Sequence, residues 1–148
     1  MPLRVLLDTN IFVSYLLAPG RSSPISQIVR AGYLGAFTLI LPQELLAELA
    51  LEIGRKSYLA HRISPEELEE LVATLLAVAE PAPRIEEEIP AVTRDPKDDY
   101  LLAYAVVAQA DYLVAGDRDL LVLRQVEQLN IVTPREFWRI LAGGEPGR

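Results

Sequence analysis

The stretch RVLLDTNIFVSYLL, residues 4–17, decides the fold. Val5, Leu6 and Leu7 form a short apolar run that reads as a buried strand. Asp8, Thr9 and Asn10 interrupt it, and apolar residues then resume in a helix expected to begin near Asn10 and reach Leu17. The Pro and Gly of APGRSSP end that helix. A strand that passes straight into a helix is the first half of an α/β unit, and here it leaves a carboxylate at the lip of the core.

Outward from this unit the same alternation continues. Ile25 to Ala31 reads as a second helix and AFTLIL, 36–41, as a second strand. A helix is expected from Pro42 through ELLAELALEIGRK, with the proline in its first turn. Ser64 and Glu67 form a capping box that opens an amphipathic helix from Pro65 to about Val78. EPAPRIEEEIP is a polar connector with a short strand expected near Ile85, and Glu86 to Glu88 read as solvent-facing charge. Asp95-Pro96 reads as an N-cap with proline at the first helical position, opening a helix through Ala110. DYLVAG gives a strand, DRDLLVLRQV a turn and short helix, and NIVT a last strand. Thr133 to Glu136 cap a terminal helix to about Leu141. Alternating strands and helices predict an α/β domain with a mainly parallel sheet. Residues 1–142 are expected to form one domain, and 143–148 a loose tail.

Composition sets outer limits. The 148 residues are of single-domain size, with 51% hydrophobic and 24% charged residues, as in ordinary globular chains. Cysteine is absent, which excludes disulfides, thiolate metal sites and a cysteine nucleophile. No apolar run approaches the roughly 20 residues of a membrane span, and no signal-peptide pattern is read at the N-terminus, so a soluble cytoplasmic protein without membrane partners is expected. A net charge of −7 argues against nucleic-acid binding through a broad basic surface, but not against a local rim. Arg55, Lys56, His61 and Arg62 fall close together, with Arg21 and Arg30 earlier.

In a parallel α/β sheet, ligands bind along the carboxyl edge of the strands. Asp8 ends the first strand and Asp117 follows the strand YLVAG, so both point to that edge. At about 100° per residue, Asp98 aligns with Leu101, Leu102 and Ala105 and faces inward, whereas Asp99 lies round the helix and is expected to be more exposed. In the helix from Pro42, Glu48 and Glu52 both flank the apolar stripe, and spacing does not choose between them. Converging carboxylates repel one another unless a cation joins them. Basic side chains near these positions are few: Arg94, Lys97 and Arg118. Oxygen ligands suit Mg²⁺ or Mn²⁺, which can activate water and neutralise charge on a phosphodiester.

With these residues in place, the chain resembles the PIN domain family, metal-dependent ribonucleases that often serve as toxins of toxin–antitoxin pairs. VLLDTNIFVSYLL, ELLAEL, RDPKDDYLLAYA and DYLVAGDRDLL occur in the family's order between about residues 3 and 141. The branch resembled has Asp-Pro-x-Asp-Asp or Asp-Pro-x-Asp-Asn as its third motif. The resemblance implies a three-layer α/β/α sandwich, with a twisted, mainly parallel sheet flanked by helices. It implies that Asp8, Glu48, Asp98 and Asp117 are the catalytic, metal-binding acids, with Asp119 as an accessory ligand. Thr9, Asn10 and Asp99 would support them, and Glu48 rather than Glu52 becomes the choice. It further implies Mg²⁺ or Mn²⁺ as cofactor and RNA as substrate, cut to 3′-hydroxyl and 5′-phosphate ends. A homodimer and a cognate antitoxin are the implied protein partners. Arg55, Lys56 and Arg62 are the candidate RNA contacts. Two positions depart from many relatives: Ala115 where a threonine precedes Gly-Asp, and Pro42 where a serine stands near the start of the second-motif helix.

Two other readings compete. A haloacid dehalogenase-type phosphatase also places an Asp after its first strand, but requires a second Asp two positions on, where this chain has Asn10, and a lysine from a middle motif. A catalytically silent PIN-like module that binds RNA or protein has no need of a complete acidic set.

Overall fold

The computed structural model describes residues 2–18, 20 and 22–143. Arg21 and the tail from residue 144 onward lie outside the described residues. In chain order the elements are β1 (Arg4–Leu7), α1 (Thr9–Leu17), α2 (Pro24–Tyr33), β2 (Thr38–Pro42), α3 (Leu45–Arg55), α4 (Ser57–Arg62) and α5 (Pro65–Val78). There follow β3 (Glu80–Ala82), α6 (Pro96–Val107), β4 (Tyr112–Val114), α7 (Arg118–Leu121), β5 (Gln125–Val126), β6 (Leu129–Val132) and α8 (Pro134–Leu141).

The strands form one six-stranded sheet in the order β3-β2-β1-β4-β6-β5, parallel except for β5, which pairs antiparallel with β6. Flanked by helices, it is the α/β sandwich expected. Val5, Leu6, Leu113 and Val114 at its centre are fully buried or nearly so, as strands covered on both faces must be. β1 is followed in the sheet by β2 on one side, while β4 is followed by β6 on the other. The winding therefore reverses between β1 and β4, and a crevice opens at the carboxyl edge where such a reversal occurs.

Several elements differ from the sequence reading. Pro42 does not start a helix. It ends β2 beside Ala82 of β3, past the point where pairing with β1 stops at Ile40, so its missing N–H interrupts no ladder there. The helix begins at Leu45 and breaks at Lys56, whose extended backbone separates α3 from α4. The strand of the connector lies at Glu80–Ala82 rather than near Ile85. Helix α6 stops at Val107 with Gln109 in the left-handed region at φ 56°, and Ala110 N–H donates to Ala105 C=O at 2.9 Å, a Schellman closure without glycine. Gln125 and Val126, expected in the turn and short helix of DRDLLVLRQV, instead form strand β5, whose turn to β6 uses Glu127 at φ 53° instead of glycine or asparagine.

Candidate metal centre

The crevice between β1 and β4 is built by strand endings. Leu7 pairs with Val114, and the Asp8 N–H donates to the Val114 carbonyl at 3.0 Å, which sets Asp8 beside the segment leading to Asp117. Both aspartates also cap helices. Asp8 Oδ1 accepts from the Asn10 N–H at 3.0 Å, and Asp117 Oδ1 accepts from the Asp119 N–H at 2.8 Å. Each cap engages one carboxylate oxygen. The first turn of α6 brings in Asp98 from a third direction, and Asp95 Oδ1 caps that helix through the Lys97 N–H at 2.9 Å.

Asp8, Thr9, Asn10, Glu48, Asp98 and Asp117 line one cavity of about 180 Å³. Carboxylate oxygens of Asp98, Asp117 and Asp119 lie within 4.8 Å of one another. Asp8 and Asp98 are each only 5% exposed. Of the five acids that the resemblance singled out, Asp98 and Asp117 belong to both groups, Asp8 and Glu48 join them in the cavity and Asp119 in the oxygen cluster. Glu52, Asp95, Lys97 and Leu101 line the same cavity; of these, the sequence points only to Lys97 as a neighbour of the acids. Glu48 and Glu52 stand one helical turn apart beside the same stripe, which was the available signal for Glu52. Their roles separate through partners: Glu52 accepts from Lys56 Nζ at 2.5 Å and lies 3.8 Å from Lys97 Nζ.

The electrostatics are those of acids crowded together under partial burial. Burial pushes Asp8 above the ordinary carboxylate range, aided by the charge of Asp117 and opposed by the Asn10 N–H. Glu48 is raised by burial first; Lys97 opposes this, while Asp8, Glu52 and Asp95 add to it. Asp98 is pushed up to about 7 by burial, by its hydrogen bond with Asp117 and by the charges of Asp117, Asp95 and Asp8. Among the described residues, three buried side-chain oxygens have no hydrogen-bond partner, and two of them, Asp98 Oδ2 and Thr9 Oγ1, belong to this site. A buried, unpartnered carboxylate oxygen inside an all-oxygen donor set fits a hard divalent cation.

A family model described as PIN domain matches residues 4–119. The chain belongs to the PIN domain family. No curated protein matches it significantly. PIN domains are nucleases that generally use divalent metal, and the acidic cluster of this PIN domain is one that can bind such an ion. The matched segment ends just before Leu120, so β5, β6 and α8 lie beyond it, although β6 pairs with β4 in the central sheet.

Asp99 requires a correction. It is 7% exposed, as buried as Asp98 at 5% rather than markedly more exposed as the helical angle implied, because the connector before α6 folds over it. Asp99 Oδ1 accepts from the Val92 N–H at 3.0 Å and the Thr93 N–H at 2.6 Å. Burial works against its charge, but the hydrogen bonds from Thr93 and Val92 outweigh it and hold Asp99 below the usual carboxylate range. Its carboxylate therefore pins the loop instead of lining the acid cavity. Of the basic residues singled out, Lys56 lines the cavity and Arg55 borders a neighbouring groove. Arg62 is exposed at the end of α4 and lines neither. Among the described residues no helix is long and apolar enough to cross a membrane.

Proposed function

We propose that this PIN domain is a metal-dependent endoribonuclease. The observation that carries the reading is the buried, unpartnered Oδ2 of Asp98, a residue that lines one cavity with Asp8, Glu48 and Asp117. In it, Asp8, Asp98, Asp117 and Glu48 would hold Mg²⁺ or Mn²⁺, with Asp119 as a further oxygen donor. Such an ion supplies charge neutralisation at the phosphodiester and a more acidic water. The chain's own residues do the rest. The Asn10 N–H at the entry to α1 fixes the direction of Asp8, whose cap leaves its second oxygen for the site, and the unpartnered Thr9 hydroxyl belongs to a residue lining the same cavity. Glu48, less buried than Asp8 and raised in pKa, is placed to orient or accept a proton from a water in the cavity. Lys56 and Lys97, tied to Glu52, put positive charge where an RNA backbone would enter. Ala115 is fully buried and offers no hydroxyl, so its departure from many relatives bears on the rate rather than on the reaction class.

The test is cleavage of mixed single-stranded and hairpin RNAs by the purified protein in Mg²⁺ or Mn²⁺, alongside Asp8→Asn and Asp98→Asn. The reading expects metal-dependent cuts that vanish in both variants while both stay folded. Cleavage that persists in both, or none in the wild type, would overturn it. In the same reading residues 1–142 are one cooperative domain, the chain acts as a homodimer, and a cognate antitoxin blocks the crevice. Family resemblance supports these last two, and co-purification with the product of an adjacent reading frame tests the antitoxin.

A further inference from the structure

A groove of about 410 Å³ runs from the acid cavity between α3 and α6, within the roughly 300–1,000 Å³ of ordinary ligand pockets. Ala47, Leu51, Pro96 and Tyr100 give it apolar walls. Leu51 is 63% exposed although it is a large aliphatic side chain on a helix that otherwise buries Leu45, Leu49 and Ile53. Glu48, Glu52 and Lys97 line both the groove and the acid cavity, so the two are continuous. Cations stand at the junction and along the groove: Lys97, whose side chain is half exposed, and Arg55, exposed on the last turn of α3.

A polynucleotide presents charge, flat apolar ring and charge again at each step. The surface here repeats that order, from the acid cavity with its lysines, through the apolar walls, to Arg55. An apolar cleft lined by an aromatic ring, with cations alongside, is the usual receptor for an unpaired base. We propose that the groove between α3 and α6 receives the base of a single-stranded nucleotide adjoining the cleaved phosphate, and that Arg55 meets the next phosphate along the strand. This rests on the ribonuclease reading and adds a specificity subsite to it. The base enters against Leu51 and the Tyr100 ring, and the two edges of the groove belong to helices that also carry Glu48 and Asp98. Base identity at that position would thereby affect how well the phosphate seats.

The experiment compares wild type, Leu51→Glu and Arg55→Ala on short single-stranded RNAs that carry either a base or an abasic residue next to the mapped cut. Leu51 is already largely exposed, so its substitution leaves the fold intact. The proposal expects the wild type to cut the base-bearing RNA with a kcat/KM about tenfold above the abasic one, in line with the worth of one base contact. Leu51→Glu should erase that difference, and Arg55→Ala should raise KM on both RNAs with little change in kcat. Wild-type cleavage that Leu51→Glu leaves unchanged on both RNAs would overturn the groove proposal alone. So would a Leu51→Glu variant that loses an oligomeric state while keeping its cleavage, which would make the groove a protein contact. Absence of wild-type cleavage would overturn the ribonuclease reading together with the subsite.

Discussion

Asp98 carries the conflict between stability and chemistry in this molecule. Its folded pKa, about 7, lies above the roughly 3.9 of a free aspartate, so the folded chain binds its proton more tightly than the unfolded chain does. The stabilisation by that proton is fully present below about pH 4 and is lost as pH rises through the folded pKa. Asp8 and Glu48 are shifted in the same direction. Asp99 has the opposite sign: its contribution is present above about pH 4 and is lost as pH falls through its lowered value. Two outcomes are expected. Without metal at about pH 8, Asp98→Asn should be more stable than wild type, on the order of 1–2 kcal/mol by urea denaturation, because it removes a crowded charge. Mn²⁺ should raise the wild-type Tm more at about pH 8 than at about pH 5.5, because at the lower pH it competes with protons for the same oxygens. Equal shifts at both pH values would mean that the ion binds elsewhere.

The elements divide according to where their instructions reside. Ser64 and Glu67 form the capping box read from sequence, with Glu67 N–H donating to Ser64 Oγ at 3.1 Å, and Thr133 with Glu136 repeats it on α8. Caps are legible because every partner lies within three residues. Ser64→Ala is expected to cost about 1 kcal/mol of stability, measured as a shift in urea midpoint. Phe137 of α8 is fully buried, with its ring 5.3 Å from Phe37 and 5.6 Å from Tyr112, so Phe137→Ala should cost about 3–5 kcal/mol. The readings that differed from the structure depend on distant partners. Pro42 is acceptable in β2 because of where β1 pairing stops, and β5 forms against β6 without a turn signal of its own. Asp99 is buried by a connector whose path no local pattern specifies. The inward direction of Asp98 was legible because helical angle is a local property. Lining of the same cavity by Asp95 was not, because it depends on how α3 and α6 face each other.

At the scale of the whole molecule, the winding of the sheet reverses between β1 and β4, and the acids occupy the resulting crevice. Residues outside the matched segment complete this frame: β6 borders β4, and α8 closes the core through Phe137. A chain cut after Thr133 should therefore lose cooperative unfolding, which thermal denaturation followed by circular dichroism would show. On the proposed ribonuclease reading, a net charge of −7 would limit RNA contact to the few cations round the crevice, so binding should weaken only gently as salt increases. A steep salt slope would point instead to an extended basic track on the surface. The most direct test of the central claim is the chemical nature of the ends left on cleaved RNA. Attack by a water at the acid cavity predicts 5′-phosphate and 3′-hydroxyl ends, formed only with Mg²⁺ or Mn²⁺ and absent with Asp98→Asn. Products ending in 2′,3′-cyclic phosphate, or formed equally in a chelator, would contradict it.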